Sequence, residues 1–261
     1  FAEGYSVLNG RTDIGLSQNV IQLLVAHEIG HLFGLDHTQT NIDNSESDFG
    51  LPFICGSTSP ENYAIMYPFL CRESVSLHAD DESAVSALYP ADNIDQTFGI
   101  LQGRFLDEQG EPILGANIWA ENVSTADAIS VVSDFLIEQN GFYQLYLPPG
   151  NYTLHANSIN TLFNGASGVG PYSISSSDIS FIDPHPIGLT DYIGTTEDQV
   201  QTITISAGDT ININFNSGGK LVESLPGSNE DDDDLADLFG AASWQMLILL
   251  TGLLITLRRA S

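Results

Sequence analysis

The spacing of apolar residues changes character near Pro90. Before it, apolar positions recur with a helical period. Val20, Leu23, Leu24, Ala26 and Leu35 predict a helix over Ser17–Leu35, with Ser17 or Asn19 as N-cap and Gly34 where a helix C-terminus belongs. A second helix is predicted over Ala79–Leu88, where Asp80, Asp81 and Glu82 suit the helix dipole and Val85 and Leu88 form the inward face. The stretch from Thr38 to Pro60 is rich in Gly, Asn, Ser and Asp and reads as loop.

From Thr97 to Gly219 the period shortens to that of strands. Ile100–Phe105, Ala116–Ala120, Phe142–Leu147, Tyr152–Ala156, Gln201–Ile205 and Thr210–Phe215 alternate or run apolar between turn signals at Glu108–Pro112, Asn140–Gly141, Pro148–Asn151 and Ala207–Asp209. That spacing predicts an all-β sandwich of antiparallel strands over residues 97–219. An acidic linker, residues 220–237, follows and carries the run Glu230–Asp234. Leu238–Leu257 is then a charge-free stretch of about 20 residues, long enough to cross a bilayer as one helix. Arg258 and Arg259 end it and resist translocation, so this reading places Ser261 in the cytoplasm and everything before the span outside. A processed sorting tail is the other reading of the same segment.

Composition changes this picture in two ways. There are 34 Asp and Glu against 6 Lys and Arg, a net charge of −28, which excludes nucleic acid as a partner because phosphate binding needs a basic surface. Such a surface suits cations or a salty medium, and Asp36, Asp43, Asp48 and other loop acids offer oxygen ligands to Ca2+, although none falls in an EF-hand pattern. The only cysteines are Cys55 and Cys71. In a reducing compartment they stay free; with the domains outside, a disulfide between them is expected.

The chemistry concentrates in the first helix. His27-Glu28-Ile29-Gly30-His31 fits H-E-x-x-H, and positions i and i+4 share a helix face, so two imidazoles can grip one zinc ion while Glu28 serves as proton acceptor. The pattern continues to H-E-x-x-H-x-x-G-x-x-H, with Gly34 allowing the sharp turn that brings His37 round as third ligand. Three neutral nitrogens leave one zinc position open, the arrangement of a catalytic rather than a structural site.

This extended pattern resembles the signature of the metzincin clan of zinc metallopeptidases. Ala64-Ile65-Met66-Tyr67-Pro68 looks like the clan's Met-turn, which makes Met66 an apolar floor under the histidines. Met followed by Tyr-Pro resembles the matrixin branch, as does Leu77–Tyr89 with its acidic pair and terminal Leu-Tyr. Asp80 and Asp81 themselves read as structural helix-start acids. In astacin and serralysin relatives a tyrosine stands two residues after the methionine and approaches the metal; here that position is Pro68, so Tyr67 is not carried over as a ligand. The loop from His37 to Met66 is longer than in compact matrixins.

The resemblance implies an α+β metzincin-type catalytic domain over residues 1–92. It would be incomplete, because Phe1–Leu16 leaves room for only one strand of the N-terminal sheet, around Tyr5–Leu8. A longer protein, with this fragment inactive alone, is therefore expected. Gly99–Arg104, Gly110–Ile118 and Gly141–Leu154 resemble the carboxypeptidase regulatory-like (transthyretin-like) domain, an accessory module of exported proteins. His155 and His185 within it read as ordinary polar residues. The whole then reads as catalytic part, sandwich and C-terminal transmembrane helix. Its expected function is zinc-dependent endoproteolysis of extracellular protein or peptide substrates at the cell surface. The alternative is a surface adhesion or binding protein with a vestigial peptidase domain, and the intact Glu28 argues against it.

Overall fold

A computed structural model of the chain describes residues 15–40, 55, 59–134, 138–159, 187–196, 199–223 and 225. Two units divide the chain, Phe1–Val222 and Glu223–Ser261; of the second, only Glu223 and Leu225 are described. The expected strand around Tyr5–Leu8, the loop acids Asp43 and Asp48, His185 and the span Leu238–Leu257 all lie outside the described residues.

Helix α1 runs Gln18–Leu32, with the Ser17 hydroxyl accepting from the Val20 N–H at 3.3 Å. It ends where Gly34 takes φ +90°, a conformation that costs a side-chain-bearing residue a clash. Leu35 N–H then donates to Gly30 O at 3.1 Å and Gly34 N–H to His31 O at 3.0 Å, the paired bonds of a Schellman stop. Helix α2 spans Ala79–Leu88 and is opened by a capping box: the His78 ring nitrogen accepts from Asp80 N–H, and the Asp81 carboxylate accepts from His78 N–H. Its buried residues are polar, Asp80, Asp81 and Ser83, and Leu88, expected to face inward, is 51% exposed.

The strands are β1 (Gly99–Leu106), β2 (Ala116–Asn122), β3 (Ala128–Val132), β4 (Phe142–Leu147), β5 (Gly150–Ser158), β6 (Thr190–Asp191), β7 (Thr202–Ile205), β8 (Thr210–Asn212) and β9 (Phe215–Asn216). One sheet runs β4-β1-β8 with β9 also on β1; the other runs β3-β2-β5-β6 with β7 also on β5. Alternate residues of both sheets meet in one core, among them Leu101, Phe105, Ile118, Tyr143, Leu145, Leu154 and Phe215. The strands are not all antiparallel. Both β8 and β9 run parallel to β1, because the turn after β7 carries the chain from one sheet to the other. The expected single strand Thr210–Phe215 is broken in two, and at the break the Asn214 side chain, not a main-chain carbonyl, accepts the Arg104 N–H at 2.9 Å.

These observations correct the expected fold class. In place of an α+β metzincin-type catalytic domain beside a sandwich and a transmembrane helix, the described residues are mostly β, two sheets with only two α-helices. No described helix is long and apolar enough to cross a membrane. The physical difference is that, among the described residues, no strand packs against α1: every described strand belongs to the sandwich, and Ile21, Leu32 and Phe33 are 43%, 42% and 51% exposed. Strand β3 had no clean alternation to reveal it, since it is bonded to β2 while α2 packs against it, and its apolar residues fall on both faces, Ala128 and Ile129 before Ser130 and Val131 and Val132 after it.

Ile118 is fully buried between the sheets, so Ile118→Ala should cost about 2–5 kcal/mol of unfolding free energy in urea titration. A loss well under about 1 kcal/mol would contradict the core placed here.

Candidate metal centre

His27 and His31 stand one helical turn apart on α1, and the Schellman stop at Gly34 turns the chain so that His37 joins them. One ligand atom from each of the three histidines lies within 4.8 Å of the others, and no other such group of His, Cys, Asp and Glu occurs among the described residues. His27 Nε2 and His37 Nε2 are 3.1 Å apart. Tetrahedral Zn–N bonds of about 2.0–2.1 Å set two nitrogens about 3.3 Å apart, which the His27–His37 pair matches, and three imidazole nitrogens are a donor set compatible with a metal of that class.

The tautomers follow from backbone contacts. His27 Nδ1 lies 2.7 Å from Ile65 O and His31 Nδ1 lies 2.9 Å from Leu35 O. A carbonyl only accepts, so each Nδ1 carries the proton and each Nε2 keeps its lone pair. Burial lowers the His27 pKa below its ordinary value, with the nearby His31 acting in the same direction, although the bond to Ile65 O opposes it. Burial thus favours the neutral, ligating form of the imidazole. Glu28 is half-buried beside the cluster and lines the same cavity of about 390 Å³, whose apolar wall comes from Leu24, Tyr67, Pro68, Phe69 and Leu70.

Met66 lies under α1. A Cβ added at Gly30 would overlap Met66 Sδ, so the absence of a side chain at Gly30 lets the methionine pack directly against the helix. The carboxylate of Asp81 holds the turn that carries it. Its oxygens accept from Ile65 N–H at 2.8 Å, Met66 N–H at 3.0 Å and His78 N–H at 2.9 Å. Asp81 was read from sequence as a helix-start acid, and it is one; it also fixes the carbonyl that orients His27. Tyr67 is fully buried against Tyr63, with ring centroids 4.8 Å apart, and lines the cavity.

Arg72 supports the loop beyond. Its buried guanidinium donates to Tyr63 O, Glu61 O, Ser76 O and the Ser76 hydroxyl. Cys55 and Cys71 are joined by a disulfide with Cα atoms 5.3 Å apart, closing the loop that contains Met66. Of the acids considered for calcium, Asp36 is exposed and accepts the His37 N–H. In the sandwich, His155 is bonded to Asp191 and Thr153, each at 2.7 Å, and stacks on Trp119.

No family model matches the chain, and no curated protein matches it. Among solved structures, it is similar over 48% of its length to 17% of the Bacillus anthracis TIE protein, at 19% identity and TM-score 0.26. BcpA, the major pilin subunit of Bacillus cereus, is matched over 46% of this chain and 30% of that one, at 16% identity and TM-score 0.25. Klebsiella pneumoniae 5-hydroxyisourate hydrolase is matched over 45% of this chain and 83% of that one, at 14% identity and TM-score 0.23. This chain thus spans less than a third of the first two proteins. At such scores the likenesses carry no argument about fold or function.

Replacing Asp81 by Asn would turn an NH2 group toward backbone N–H donors in either flip, since both carboxylate oxygens are in use. A stability loss of about 1–3 kcal/mol is expected in urea titration. Reducing the disulfide should cost roughly 3 kcal/mol by loop entropy; two free thiols in the unreduced, denatured protein would rule the bond out.

Proposed function

We propose that this chain carries the zinc site of an exported metalloendopeptidase, on the H-E-x-x-H-x-x-G-x-x-H segment that resembles the metzincin signature. The observation that carries the reading is the convergence of His27, His31 and His37 with Glu28 beside them at an open cavity. Zinc held by three neutral imidazoles supplies Lewis acidity to a carbonyl and acidifies water at neutral pH.

The chain's own residues do the rest. Ile65 O and Leu35 O keep the protons of His27 and His31 on Nδ1, which leaves both Nε2 lone pairs available to hold an ion. Glu28 takes the proton of the attacking water and delivers it to the leaving amine, as a half-buried carboxylate beside the ligands is placed to do. The wall of Leu24, Tyr67, Pro68, Phe69 and Leu70 gives an apolar side chain of a peptide substrate a surface to bury. The disulfide supports an oxidising, extracytoplasmic location.

One zinc per chain is expected by metal analysis, and His31→Ala should abolish stoichiometric binding. Glu28→Ala should keep the metal and lose peptide hydrolysis by several orders of magnitude relative to the wild type. Near-normal turnover of Glu28→Ala would mean the assigned proton path is wrong. Full metal binding with no hydrolysis by the wild type would favour a binding protein with a vestigial peptidase site.

A further inference from the structure

Ser130, on β3 of the sandwich, sits where three separate segments meet. Its N–H donates to Asp80 Oδ1 at 2.7 Å, and its hydroxyl lies 3.4 Å from the same oxygen. The hydroxyl is also 2.8 Å from Thr40 Oγ1 and 3.2 Å from Thr38 Oγ1. Thr38 in turn donates to Thr40 Oγ1 at 3.0 Å and accepts the Thr40 N–H at 3.0 Å. A hydroxyl has one proton to give. Thr38 also lies within hydrogen-bonding reach of the Asp80 carboxylate, so the three hydroxyls and Asp80 form one closed network in which every proton ends on an oxygen of the set. Thr38, Thr40 and Asp80 are 9%, 2% and 4% exposed, so a broken link strands a polar atom away from water.

Both ends of this network touch the backbone of the metal centre. Thr38 directly follows His37, and its N–H donates to Met66 O at 3.0 Å. Asp80 directly precedes Asp81, whose carboxylate holds the N–H groups of Ile65 and Met66, and Ile65 O accepts from His27. Ser130 therefore reaches the third ligand through Thr38 and the first through Asp80. The sandwich supplies a fixed point for two segments that are far apart in sequence and that α1, with much of its apolar surface exposed, does not itself clamp.

We propose that Ser130 is a positioning residue of the metal centre, which makes the β-sandwich a working part of that centre rather than a separable appendage. The inference rests on the reading of His27, His31 and His37 as a metal site. It predicts that a substitution in the sandwich will change the geometry and affinity of a metal ion it never touches.

The test compares Ser130→Ala with Ser133→Ala in the full chain. The Ser133 hydroxyl is buried in the same region of the sandwich, accepting from Ala116 N–H and donating to Ile113 O, and none of its bonds leads to the site. Zinc affinity is read by chelator competition, and site geometry from the visible absorption of added Co2+. Ser130→Ala should weaken zinc roughly ten-fold and alter the Co2+ spectrum. Ser133→Ala should lower thermal stability while leaving both readouts as in the wild type. Thr38→Val, which removes the next hydroxyl in the chain, should reproduce the Ser130→Ala effect and serves if that variant does not fold. Wild-type affinity and spectrum in a folded Ser130→Ala or Thr38→Val variant would overturn this inference alone, as would an equal change in Ser133→Ala. A wild-type chain that binds no stoichiometric metal would overturn the metal-site reading and this inference together.

Discussion

One buried carboxylate holds the candidate site together. Asp81 accepts three backbone N–H groups, from Ile65, Met66 and His78, while 3% exposed. A carboxylate taken out of water costs several kcal/mol unless it is well bonded. Here three donors and the positive end of α2 offset that cost, and bonds to a charged acceptor are stronger than neutral ones. The same group thus starts a helix, shapes the turn under α1 and places the carbonyl that orients His27. Its neighbour Asp80 points the other way, to Ser130 and the sandwich. Burial raises the Asp80 pKa, and the bonds from Thr38 and Ser130 oppose that rise.

What could be read from sequence was what depends on local period. Helix α2 needs only its acid-rich start and the polar–apolar pattern that follows, and it lies over Ala79–Leu88 as the sequence indicates. The spacing of His27, His31, Gly34 and His37 is legible because i, i+4 geometry and a left-handed glycine are backbone properties carried by four positions. Strands with strict alternation, such as β4, are equally plain: Tyr143, Leu145 and Leu147 point in, while Phe142, Gln144 and Tyr146 are half-buried.

What could not be read depends on partners distant in sequence. Val131 gives no sign that β3 lies beside α2, and Thr210–Phe215 gives no sign that it will break and run parallel to β1. Asp80 and Ser130 are 50 residues apart, so nothing local joins them. The expected α+β domain failed for a related reason. The family pattern specifies a helix face and a turn, but a fold class also needs the sheet that covers the helix, and the described strands all pair elsewhere.

The chain's two kinds of order have different physical origins. The sandwich rests on one large apolar core, non-directional and strong per residue buried. Among the described residues the site has a small apolar cluster, Tyr63, Tyr67 and Cys71 with Phe69 against it, joined by hydrogen bonds, Arg72 and a disulfide. Net hydrogen-bond contributions are about 1 kcal/mol each, yet a broken buried bond costs more than a formed one gains. Such a region is specified in geometry but thin in stability. It gains most from whatever ties it to the core or bridges its ligands: the Ser130 network does the first, and a bound metal, which stabilises only the state that binds it, would do the second. The three-histidine site rests on a polar network at the side of the sandwich, so its order depends on those bonds and on any ion that bridges its ligands, whereas the sandwich holds its form from its own core.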